Sequence, residues 1–173
     1  MRVSRDSDIH NVALTCYTPL TISITHYSTG KCRNLYILQL AIAHNIDIEK
    51  KTHGNSLIVR AICCDNLLAL NVLIMHGVNV NSDKGEPLRI AIRRRNVTII
   101  DTLLRAGVDV NLTPPGGRCA FALAIEYTDI NTVSKLFMAG AVIPYYALET
   151  TRITQIDKLA KIDFIQSNRH LIK

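Results

Sequence analysis

Tryptophan is absent from this 173-residue chain, phenylalanine occurs three times, and aromatic residues together make up 5%. A core must therefore be aliphatic, and a hydrophobic content of 48% is enough to build one and to exclude a disordered chain. No apolar run reaches the ~18 residues that a membrane helix needs. The opening Met1-Arg2-Val3-Ser4-Arg5-Asp6 has no apolar stretch of the signal-peptide kind. The expectation is an intracellular protein, cytoplasmic or nuclear, with no membrane insertion.

The five cysteines, Cys16, Cys32, Cys63, Cys64 and Cys119, include no C-x-x-C spacing and no neighbouring histidine pair. They read as reduced thiols on helix faces. The six histidines are scattered, so no metal site is expected. Also missing are a phosphate-binding glycine loop after a strand, G-x-S-x-G, H-E-x-x-H and any kinase signature. Cys63-Cys64 closes a helix instead of sitting beside a base, and Asp65, Asp101, Glu126 and Asp129 suggest no acid–base pair. Neither an enzyme, a cofactor nor a small-molecule substrate is expected.

The net charge is modest, +6, but Arg89, Arg93, Arg94, Arg95 and Arg105 crowd one stretch. Such a cluster suits an acidic partner or phosphates, and equally a solvated helix face. Nucleic acid is disfavoured because no aromatic residue interleaves with the arginines and no groove-reading motif is present.

What the chain does contain is a repeat. Ala61 to Gly77, Ala91 to Gly107 and Ala124 to Gly140 are each 16 positions apart. Each glycine follows an apolar helix and opens an extended run: Gly77-Val78-Asn79-Val80-Asn81, Gly107-Val108-Asp109-Val110-Asn111 and Gly140-Ala141-Val142-Ile143. Self-similarity at a period near thirty marks a solenoid, whose units bury their apolar faces only by stacking on neighbours. Function is then expected on a shared surface.

In the third unit, Gly85-Glu86-Pro87-Leu88 opens a helix closed by Arg93-Arg94-Arg95-Asn96, with Pro87 in the first turn, where its missing N–H costs nothing. Val97, Ile99, Ile100, Leu103 and Leu104 form a second helical stripe that Gly107 ends as a left-handed cap. An earlier unit, with a second helix over 35–43, has Asn45 at the glycine position and six inserted residues, placed as a protruding loop over 26–33.

This pattern resembles the ankyrin repeat, a unit of about 33 residues with a T-P-L-H-x-A motif, a β-turn and two helices. The matching segments are Thr18-Pro19-Leu20, Ser56-Leu57-Ile58-Val59-Arg60-Ala61, Pro87-Leu88-Arg89-Ile90-Ala91 and Cys119-Ala120-Phe121-Ala122-Leu123-Ala124, while the Gly-Val-Asn-Val-Asn runs look like the family's G-A-D-V-N. The motif histidine is replaced by Thr21, Val59, Arg89 and Ala122, and Thr113-Pro114-Pro115-Gly116-Gly117 makes one turn long. Divergence of this kind is common in ankyrin proteins of viruses and intracellular bacteria, which would place the protein in host cytoplasm.

The resemblance implies an all-α fold with a partial cap over 1–17, four repeats over 18–50, 51–81, 82–112 and 113–143, and a helical cap over 144–173 with helices near 145–150 and 154–166. It further implies a monomer that binds another protein through its concave face and finger tips, and the arginine cluster suits a partner carrying an acidic patch. The family's contact positions map onto His53, Asn55, Cys63 and Cys64, then Lys84, Glu86, Arg93 and Arg94, then Arg118, Glu126 and Tyr127.

Two further readings stay open. Gln155-Ile156-Asp157-Lys158-Leu159-Ala160-Lys161, with 168–172 behind it, resembles a degenerate elongin-binding start of a SOCS box, which implies a substrate-recognition subunit of a cullin ubiquitin ligase. Alternatively the chain is a fragment of a larger ankyrin scaffold with sticky repeat ends.

Overall fold

The computed structural model describes residues 38–39, 42–44, 47–49, 51, 56–144, 146, 158–168 and 170. The expected N-terminal cap, most of the first repeat with its loop over 26–33, and the helix near 145–150 lie outside the described residues, residue 146 excepted. The described residues form seven α-helices and no strand, an all-α protein. The chain divides into two compact units, Met1–Asn79 and Val80–Lys173.

The first unit contains α1 (Leu57–Cys63) and α2 (Leu67–Met75), which pack together. In α1 the residues Leu57, Ile58, Val59, Ala61 and Ile62 are all buried, so nearly the whole helix is core. Asn66 starts α2, its side-chain oxygen accepting the Ala69 N–H at 3.0 Å, which satisfies one of the donors a helix start leaves open. Ala69, Leu70 and Leu73 then fill the buried stripe.

The second unit contains α3 (Ser82–Arg93), α4 (Val97–Arg105), α5 (Ala120–Tyr127), α6 (Ile130–Met138) and α7 (Lys158–Ser167). Helix α3 packs on α4 and α5, α5 on α6, and α6 on α7. The plan of α2 recurs: Asn96 accepts from the Ile99 N–H at 3.1 Å, and Asp129 from the Thr132 N–H at 3.0 Å. The buried stripes are Ile99, Ile100, Thr102 and Leu103 in α4, and Thr132, Val133 and Leu136 in α6. Positions 66, 96 and 129 keep the same intervals as Gly77, Gly107 and Gly140. These glycines all take positive φ, 76°, 77° and 89°, as left-handed helix stops require.

The turn inside each helix pair is where the plan varies. Asp65 (φ 52°) and Arg95 (φ 57°) are left-handed, and the next N–H, from Asn66 or Asn96, returns to the Ala61 carbonyl at 2.9 Å or the Ala91 carbonyl at 3.2 Å. After α5 the corresponding residue, Thr128, is extended, with φ −114° and ψ −177°. Its backbone N–H and its hydroxyl both donate to the Ala124 carbonyl.

Helix α3 begins irregularly. Asp83, Lys84 and Gly85 form a left-handed turn before the regular helix, whose first turn holds Pro87 as expected. A Cβ on Gly85 would lie 2.9 Å from that of Leu112, so the close approach excludes any larger residue without movement.

Candidate partner-binding surface

One backbone contact recurs from segment to segment. The Glu49 carboxylate accepts the Asn79 N–H, Asn81 Oδ1 accepts the Asp109 N–H at 2.8 Å, and Asn111 Oδ1 accepts the Val142 N–H at 2.9 Å. In each case a polar side chain binds the backbone of the following extended run two residues after its glycine, and Asn81 and Asn111 themselves lie four residues after Gly77 and Gly107. Asn111 also donates to the Gly140 carbonyl at 2.9 Å. These bonds are exposed and tie successive fingers without using core residues.

Of the expected contact residues, His53 and Asn55 lie outside the described residues. Cys63 is exposed and Cys64 half-buried at the end of α1, and neither forms a disulfide. Lys84 is exposed on the left-handed turn at the start of α3. Glu86 is half-buried and meets two arginines: it pairs with Arg89 and lies 3.4 Å from Arg93. Arg93 and Arg94 are exposed at the end of α3, and Tyr127 is half-buried at the end of α5.

Arg118 and Glu126 come together as an ion pair. Glu126, expected as a surface contact, requires correction: it is buried, with the Arg118 guanidinium as its counter-ion. A carboxylate in that position is held by the molecule's own cation, since an unpaired buried charge would be costly. Arg118 keeps part of its side chain in solvent.

Three groups escaped the sequence reading. Arg89 is buried, not part of a solvated basic face. The Cys119 thiol starts α5, accepting from the Ala122 N–H at 3.4 Å, and lies 3.7 Å from the Tyr146 hydroxyl. Burial, and secondarily the contact with Cys119, pushes the Tyr146 phenol above its ordinary range. Finally, Lys161 of α7 is wholly buried and donates to the carbonyls of Ile125, at 3.2 Å, and Thr128. The one sequence signal for it is its place four residues before Ile165 on the buried side of α7.

No family model and no curated protein matches the chain. Among the described residues no group of three histidine, cysteine, aspartate or glutamate side chains could hold a metal ion, and no helix is long and apolar enough to cross a membrane. What the surface offers chemically is a set of charges, Arg93 and Arg94 at the C-terminal end of α3 and Arg118 before α5.

Proposed function

We propose that the chain is an ankyrin-like repeat protein that binds another protein without catalysis, through the finger tips and the solvent ends of the first helix of each pair. The observation that carries this reading is the recurring finger bond of Glu49, Asn81 and Asn111, together with the helix pairs whose caps and glycines keep one set of intervals. A protein whose backbone is tied in this way presents side chains on a preorganised frame and loses little entropy when it binds. Arg93, Arg94 and Tyr127 are the anchors by residue type. Arg93→Glu with Arg94→Glu should abolish capture of the partner from cell lysate while circular dichroism shows unchanged helicity. Full capture by the folded double variant removes Arg93 and Arg94 from the binding surface and leaves Tyr127 as its anchor.

A second reading has its own support. Leu159 is 77% exposed and Ala160 is also exposed, although the same helix buries Lys161 and Ile165. A helix that docks on α6 and still displays a large leucine suits a substrate-recognition subunit that recruits an elongin-like partner. Leu159→Asp would then lose elongin and cullin from the captured material and keep the cargo. Recovery of neither with the wild-type chain leaves α7 as a cap.

A further inference from the structure

We infer that Glu86 is a built-in stand-in for a carboxylate of the binding partner, whose acidic segment docks on Arg93 and Arg94. This deepens the proposed function and rests on its reading of the α3 surface as a binding face.

The Glu86 carboxylate serves two arginines unequally. Arg89 keeps only 7% of its side chain exposed, so one carboxylate oxygen is committed to a cation withdrawn from water. The other oxygen is 3.4 Å from Arg93, and there both partners remain in contact with solvent, at 43% for Arg93 and 29% for Glu86. A contact that long and that wet is weak. Arg93 is therefore held near a carboxylate but not satisfied by it, and a planar guanidinium accommodates a second carboxylate in bidentate geometry. Arg94, next in the chain, is exposed. Arg95 follows in the left-handed turn and is exposed as well.

The patch favours a protein carboxylate over a phosphodiester. It is one short run of arginines with the Glu86 carboxylate beside it, which a continuous line of phosphates would have to pass. No phenylalanine or tyrosine is exposed among the described residues, so bases would find no large stacking platform beside the arginines. A glutamate- or aspartate-rich segment needs neither length nor stacking.

The test is the fluorescence anisotropy of labelled hexaglutamate titrated with the full chain at low ionic strength, with circular dichroism on every variant. Arg93→Ala with Arg94→Ala should weaken binding roughly tenfold, as the loss of two surface ion pairs implies. Glu86→Gln with Arg89→Met removes the internal competitor together with the buried cation, and should tighten binding about threefold. Should that second variant not fold, the first decides alone. Unchanged binding by the Arg93/Arg94 variant, or weaker binding by a folded Glu86/Arg89 variant, overturns the inference. An oligothymidylate of equal charge, bound more tightly and lost with the same arginines, overturns it in favour of phosphodiesters. A lysate partner kept by the Arg93/Arg94 variant but lost with Tyr127→Ala would overturn this inference while leaving the proposed function standing.

Discussion

The Lys161 ammonium donates to the main-chain carbonyl of Thr128, 33 residues earlier, from a side chain with no exposed surface. The same ammonium reaches the Ile125 carbonyl at 3.2 Å. It stands at the C-terminal end of α5, the negative pole of that helix, where a cation is favoured. In the two earlier pairs a left-handed residue lets the backbone fold back on its own carbonyls. Here α7 supplies the donor from outside.

Lys161→Met should therefore destabilise the protein by about 2–3 kcal/mol, since two carbonyls lose a charged donor in a buried site. Urea unfolding monitored by circular dichroism measures the loss. A drop below about 0.5 kcal/mol would mean that water replaces the ammonium at no cost.

Arg95 occupies a left-handed position, and Arg95→Gly should raise stability by about 0.5–1 kcal/mol by relieving the side-chain clash there. Thr128→Gly tests the opposite case. Its backbone is extended and its hydroxyl is bonded to the Ala124 carbonyl at 2.8 Å, so glycine should cost about 1–2 kcal/mol. Equal effects at the two sites would contradict the difference between the turns.

Asn111→Ala removes both a donor to Gly140 and an acceptor for Val142, whereas Asp101→Ala breaks only an exposed pair with Lys135 at 2.7 Å. Thermal melts should rank the first at about 1–2 kcal/mol and the second below about 1 kcal/mol. The reverse order would deny the finger bonds their structural role.

Asp129 gives a pH signature. The Thr132 hydroxyl and N–H at the start of α6 hold its carboxyl below its ordinary value of 3.8, against the opposing effect of burial. Because the folded-state value is the lower one, the stabilisation is fully present above the unfolded value and is lost as pH falls through the folded value. Wild type should therefore lose stability below about pH 4 more steeply than Asp129→Asn. Parallel acid titrations of the two proteins would expose the difference, and superimposable curves would exclude it.

The repeat was legible because its marks are backbone requirements. A helix stop with positive φ selects glycine, and an apolar stripe selects Ile, Leu and Val, so Gly107 with Ile99, Ile100 and Leu103 reads directly from the chain. The charged interior was not legible. Arg89, Glu126 and Lys161 belong to residue types that ordinarily seek water, and each is buried only because a specific group answers it: Glu86, Arg118 and the carbonyls after α5. Pairings of that kind depend on which helix meets which, and periodicity carries no such information. Of the expected contact set, Arg93 and Arg94 are exposed, whereas Glu126 is buried.

The left-handed stops at Gly107 and Gly140 are 33 residues apart, those at Gly77 and Gly107 only 30, while the stretch from Ala91 or Ala124 to the following stop stays at 16. All three additional residues thus fall between Gly107 and Ala124, in the connection that carries Pro114, Pro115 and Gly116, and the Asn111 bonds to the next finger survive them. That connection behaves as an expansion joint. Foreign sequence grafted at 114–116 should be carried as cargo by the frame instead of being felt by it.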